Sequence, residues 1–296
     1  YSLCVLSFCY VSGYLWIRHA DRMDRLAHRV TWLAAAAAVV SIVAWYISNP
    51  FPTSRLEPLG VMHHQNKAAS AYGIFLVLCL HYVFSDRGRN NKLVYSSLAL
   101  ALLSLVVFTQ SRTAMTSVCV ALLILVGYRG LAIAAIGVAA SWALMAANPQ
   151  IWVNRVVDYS FRPGIWERVI TDMQGYWWFG HGYLIDPRVP AYDQLFNHAH
   201  NGYLATLRDG GLVGMGLLMA ILAIAAHWAW RLYQQRGERI YLALLLYGMT
   251  CIAMDYDRLL VHPKELWLFF WLPVALIMAA HPVRYEPVTV RYPGHK

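Results

Sequence analysis

Long apolar runs alternate with short polar ones along almost the whole chain. Runs nearly free of charge fall at about 1–17, 31–47, 68–85, 93–109, 114–130, 131–147, 212–233, 240–254 and 266–280. Each is close to the roughly 20 residues a helix needs to cross a hydrocarbon core of about 30 Å. The pattern therefore predicts nine membrane-spanning helices. Tyr128, Arg129 and Gly130 are all that interrupts 114–147, which predicts a tight turn there. One stretch breaks the rhythm: residues 148–211 carry five arginines and three histidines, too polar to span and too long for a plain connection. The expected organisation is an all-α polytopic membrane protein. Its parts are helices one to six in 1–147, a large polar loop in 148–211, helices seven to nine in 212–280, and a tail in 281–296.

Composition narrows the class. Apolar residues make up 59% of the chain and charged ones 13%, against roughly 25% charged in soluble domains. The five cysteines all lie in apolar runs, so neither a disulfide framework nor a zinc spacing is implied. A formal charge of +9 raises nucleic-acid binding as a class. In a membrane protein, cationic loops more simply mark the cytoplasmic side. When the loops are placed alternately on two faces, one set holds fourteen Lys and Arg, including Arg18, Arg22, Arg25 and Arg29. The opposite short loops hold five: Arg55, Lys67, Arg112, Arg258 and Lys264. This puts the tail in the cytoplasm and loop 148–211 outside. The chain begins at Tyr1 within an apolar run and without an initiating Met, so an odd number of earlier spans is expected to be missing.

Candidate chemistry concentrates in the outer loop. After Arg162-Pro163-Gly164, the residues Ile165, Trp166, Val169, Ile170, Met173 and Trp177 recur at helical spacing. An amphipathic helix over about 165–178, lying at the membrane surface, is expected. Arg162 then sits near a helix amino terminus, which already favours an anion. Asn197-His198-Ala199-His200-Asn201-Gly202-Tyr203-Leu204 leads into a second short amphipathic stretch, which Gly210-Gly211 separate from the next span. Either His198 or His200 can take a proton from an attacking hydroxyl near neutral pH. Rim histidines also often do no more than satisfy hydrogen bonds, and two of them without a third ligand make a weak metal site. Asp255-Tyr256-Asp257 has the look of a metal-binding Asp-x-Asp. Residues Asp255, Asp257, Arg258, Lys264 and Glu265 form a charged patch expected to face outward. Arg112, in Gln110-Ser111-Arg112-Thr113, holds a cation at the hydrocarbon boundary, with snorkelling as the plain alternative.

These residues make the chain resemble the O-antigen ligase family. His200-Asn201-x-x-Leu204, then six residues and Gly211, fits the family's His-Asn-x-x-Leu-x6-Gly signature. Phe161-Arg162 with Trp166 is similar to its Arg-x-x-x-Trp segment, followed by Phe179-Gly180-His181-Gly182 where relatives have Gly-x-Gly. Gln110-Ser111-Arg112-Thr113 is similar to its Ser-Arg at the outer end of a span, and Arg55 with Gly60 and His63 to Asn66 is a looser echo. The family's usual count of about twelve spans, each of roughly 20 residues, implies that about three precede Tyr1.

The resemblance implies a GT-C-like glycosyltransferase in the bacterial inner membrane. It would move a polysaccharide from undecaprenyl diphosphate to a sugar hydroxyl of lipid A–core at the periplasmic face, with inversion and without a cofactor or metal. In that reading His200 is the general base, with His198 orienting it or replacing it. Arg112 and Arg162 hold the diphosphate, and Asn201, Arg55, Trp166 and Tyr203 contact substrate, while Trp177, Trp178, Tyr183 and Tyr203 stack on sugars. Rival readings with the same donor are an O-antigen polymerase and a protein O-oligosaccharyltransferase. The short tail after the last span favours the lipopolysaccharide acceptor over a protein. A lipid or glycan transporter is a rival of another class, but no pair of matching broken spans supports it.

Overall fold

A computed structural model describes residues 1–60, 64–85, 91–149 and 161–280. Its helices follow the apolar runs: α1 (Ser2–Ser48), α2 (Gln65–Phe84), α3 (Lys92–Phe108), α4 (Arg112–Val126), α5 (Tyr128–Ala147), α6 (Arg162–Asp172), α7 (Gly202–Arg236) and α8 (Ile240–Asp255). A π-helical turn, Trp267–Trp271, then runs into α9 (Leu272–Ala280). Among the described residues, α1, α2 and α7 are long and apolar enough to cross a membrane, and α3, α4, α8 and the last helix are shorter apolar helices.

The first expected loop is not a loop. Residues 18–30 continue the helix, and only His19 departs from helical geometry (φ −138°, ψ 38°). The segment has no Gly or Pro, and Asp24 pairs with His28 one turn on at 3.2 Å, so nothing in it ends a helix. The two arms of α1 on either side of His19 have different partners. Phe8 packs on Trp267 at 5.0 Å near the carboxy-terminal helix, whereas Tyr46 meets Phe108 of α3 edge-on at 5.5 Å. The break between α4 and α5 also lies earlier than expected, at Gly127 (φ 66°).

Small residues let the central helices approach closely, as is usual without a hydrophobic drive between helices in lipid. Tyr247 of α8 is fully buried, and its hydroxyl donates to the Ser70 carbonyl at 2.7 Å. Gly73 makes room for that ring, because a Cβ there would overlap the hydroxyl. Ala35 and Ala38, from the alanine run, are buried as well.

The polar loop folds as a small module. Pro163 sits in the first turn of α6, and Ile165 and Val169 on one face are buried with Val189, Ala199 and Ala205. That face is therefore covered by protein rather than turned to lipid. The helix also stops at Asp172 instead of reaching 178. A hairpin absent from the sequence reading follows, β1 (Val189–Ala191) with β2 (Gln194–Phe196), Ala191 opposite Gln194. Its turn residues Tyr192 and Asp193 both have positive φ (51° and 56°).

The module is locked to the membrane helices by one crossing. α7 leaves helical geometry at Gly211 (φ 62°, ψ −160°), which opens the helical bonds of the Arg208 and Asp209 carbonyls to the Leu212 and Val213 amides. The segment Trp177–Gly182 fills the gap. His181 N–H donates to Arg208 O (2.8 Å) and Gly182 N–H to Asp209 O (2.9 Å), while Leu212 N–H donates to Trp177 O (2.7 Å) and Val213 N–H to Trp178 O (3.1 Å). These four groups, freed by the break, are thus paired again. The strand fits because a Cβ on Gly180 would lie 2.6 Å from both Gly211 N and Arg208 O, and one on Gly211 would overlap Trp178. The two glycine motifs of the sequence are the two sides of this contact.

Candidate active site

Asp255, the last residue of α8 and 7% exposed, is the centre of a polar chain. A helix carboxy terminus disfavours a carboxylate, so its charge has to be met by side chains. His200 Nδ1 lies 2.7 Å from Asp255 Oδ1, and Asn66 donates its amide to Oδ2. The Arg162 guanidinium stands 3.8 Å away, an ion pair looser than a hydrogen bond. Behind Asn66, Arg55 donates to the Asn66 side-chain oxygen and, at 2.8 Å, to the Thr109 carbonyl. That carbonyl belongs to the turn before α4, whose first residue is the exposed Arg112.

Hence the amino termini of α2, α4, α6 and α7 all open toward one end of the bundle, around Asp255 and Arg55. Four helix amino termini with Arg55, Arg162 and Arg112 make a basin suited to a multiply charged anion.

The two histidines differ in kind. Because Nδ1 of His200 faces a carboxylate, that nitrogen is the one that donates. His200 itself is held at a positive φ (50°). Its backbone N–H donates to His198 Nδ1 at 3.0 Å, so in His198 the lone pair of Nδ1 is used and Nε2 carries the hydrogen. Burial, followed by the neighbouring His200, pushes His198 down from 6.5 to about 4, so it stays a neutral donor at pH 7. The rings lie tilted by 42° with their centroids 4.1 Å apart. Of the two rings, His200 is the one whose side chain faces a carboxylate.

Three further candidates hold the site's shape. Asn201 caps α7, its side-chain oxygen accepting from Tyr203 N–H (2.9 Å) and Leu204 N–H (3.1 Å). Trp166 donates its indole N–H to Ala199 O at 3.0 Å, tying α6 to the histidine loop. Tyr203 donates its hydroxyl to Met249 O at 3.3 Å. Of the aromatics, Trp177 and Trp178 are exposed on the crossing strand, and Tyr183 lies under the Arg258 guanidinium at 5.0 Å. His63 lies outside the described residues.

The charged patch is largely buried and paired within the protein. Asp255 and Glu265 are buried, Arg258 is paired with Asp209 at 2.5 Å, and Lys264 is paired with Asp257 at 3.1 Å. Asp255 and Asp257 consequently serve different cations, unlike a metal-binding pair. Among the described residues, no group of three or more His, Cys, Asp or Glu is placed to hold a metal. The role of Asp255 escaped the sequence reading because its partner is 55 residues away. The available signal was a carboxylate ending an apolar run.

Fold and site define a helical membrane protein with a cation-rich basin and a His–Asp pair at one end. Among known proteins, the chain is 32% identical over 259 residues to an O-antigen ligase of Pseudomonas aeruginosa, a match covering 84% of this chain and 63% of the relative. The chain is thus related in sequence to that O-antigen ligase and spans a little less than two thirds of its length. No family model matches it, and no solved structure does.

Proposed function

We propose that the protein transfers a polysaccharide from undecaprenyl diphosphate to a sugar hydroxyl of lipid A–core, as an O-antigen ligase. The observation that carries this reading is the His200–Asp255 pair set among arginines at four converging helix amino termini. His200 Nε2 takes the proton of the acceptor hydroxyl as that oxygen attacks the anomeric carbon. The carbon–oxygen bond to the carrier breaks, and its electron pair leaves on the diphosphate. Attack comes from the face opposite the diphosphate, so the configuration inverts. Arg162, Arg112 and Arg55 offset the charge that grows on phosphate oxygens, in the preorganised way that makes electrostatic stabilisation a large catalytic term. Asp255 keeps the histidine in the right tautomer and stabilises the imidazolium that forms.

The test is transfer by full-length protein in proteoliposomes holding undecaprenyl-diphosphate-linked glycan and lipid A–core. Wild type extends the lipopolysaccharide and is unaffected by EDTA. His200→Ala loses roughly 10²–10⁴-fold in rate, whereas Arg162→Ala weakens donor binding as well as turnover. Growth of the donor glycan, or labelling of a protein, with lipid A–core untouched would instead assign a polymerase or a protein oligosaccharyltransferase.

Nine spans in this chain, a periplasmic module and a cytoplasmic tail belong to the same proposal. It is supported by the site's segments sharing one end of the bundle, the end to which the charge count assigns the outside. With the native cysteines replaced by alanine, Gln174→Cys reacts with an impermeant maleimide on intact spheroplasts, and Gln235→Cys reacts only after lysis. Labelling of both before lysis would sink the arrangement.

A further inference from the structure

Away from the His200 site, α6 and the hairpin enclose an open cavity of about 740 Å³, within the roughly 300–1,000 Å³ usual for small-molecule sites. We propose that this groove binds sugar units of the donor glycan beyond the one that reacts. The inference rests on the donor assigned above.

The groove face of α6 is the polar one. Glu167, Arg168 and Thr171 follow Gly164 at helical spacing and line the cavity, while Ile165 and Val169 point into the module's core. Across from them, Asp193 and Gln194 add further hydrogen-bonding groups. Tyr192 supplies an aromatic surface. Its positive φ (51°) is unusual for a bulky residue, yet the ring is 54% exposed. It lies close enough to α6 that a Cβ on Gly164 would come within 2.5 Å of its hydroxyl oxygen. Phe161 packs edge-on against it at 5.4 Å. A flat ring beside several donors and acceptors suits the apolar face and hydroxyl rim of a sugar.

Charge narrows the ligand. Arg168 is paired with Asp172 at 3.0 Å, which leaves Glu167 and Asp193 to set a negative potential. The groove therefore takes neutral or amino sugars and rejects phosphorylated ones. Position agrees. Arg162, at the start of the same helix, faces Asp255. At 1.5 Å per residue, Thr171 lies roughly 13 Å further along, the reach of a glycan leaving the reaction centre.

The experiment is binding to full-length protein in nanodiscs, without transfer. The probes are a soluble oligosaccharide of two repeat units released from the host's lipid-linked glycan, the delipidated core oligosaccharide, and inorganic diphosphate. Tyr192→Asn removes the ring while giving the turn a residue that tolerates positive φ, so folding is kept. We expect the repeat-unit oligosaccharide to bind wild type, to bind Tyr192→Asn about tenfold more weakly, and to regain affinity with Tyr192→Phe, the size expected for one aromatic contact. Diphosphate should not compete. Equal binding by wild type and Tyr192→Asn overturns the proposal, and so does binding of the core oligosaccharide in place of the repeat unit. Tyr192-dependent binding without any transfer would leave the groove standing and remove the ligase reading.

Discussion

Asp255→Asn lowers the turnover of glycan transfer by roughly 10²–10⁴-fold, the range that positioned proton transfer contributes, without weakening the donor. The carboxylate accepts from His200 Nδ1 at 2.7 Å. An amide in its place can present N–H to that nitrogen, which moves the ring hydrogen to Nε2 and removes the base. It also no longer stabilises the imidazolium. Asp255 is, besides, a buried anion beside Arg162 and the Asn66 that Arg55 holds. Removing its charge leaves more positive potential for the diphosphate. The expected signature is a fall in kcat with KM for the donor unchanged or lower, measured in the proteoliposome assay. Arg162→Ala should do the reverse to KM. A variant that folds and turns over at the wild-type rate would show that the pair is not part of the chemistry.

Gly211→Ala should cost more stability than any single apolar truncation in the module. Its backbone (φ 62°, ψ −160°) lies in a region essentially reserved for glycine, a penalty of order 1–3 kcal/mol for other residues. The added methyl would overlap the Trp178 backbone, and forcing atoms into a packed site adds about 1–3 kcal/mol more. Relief requires the Trp177–Gly182 segment to leave, which breaks four backbone hydrogen bonds at once. A lower thermal midpoint in detergent is expected, together with new protease cleavage between Met173 and Arg188. An unchanged midpoint and digestion pattern would refute the account of the crossing. Gly180→Ala should act the same way from the other side.

The apolar helices were legible because solvent dictates them: long runs of apolar residues have few alternatives. What the sequence concealed depends on contacts. The arm joint at His19 lacks any breaker residue, so the helix runs on where a loop was expected. The hairpin turn uses Tyr192-Asp193 rather than the Asn-Gly or Asp-Gly pair that announces such turns. The structure brings His200, Arg162 and Arg55 into one polar chain, but nothing in their spacing points to Asp255 or Asn66 as the groups that join them. Asn201 and Trp166 carry motif positions whose visible work is capping and bracing.

The break in α7 gives the interval between the histidine and the glycine a meaning as an angle. From Gly202 to Gly210 the chain is one uninterrupted helical segment, anchored at its start by Asn201 and at its end by the crossing strand. Each residue in it sets about 100° of rotation, since 3.6 make a turn. With the far end clamped, the number of residues between the anchors fixes the direction from which His200 enters the basin. The six unspecified positions of the motif are fixed in number: they work as a dial held at one setting, where a single inserted residue turns the base away from Asp255.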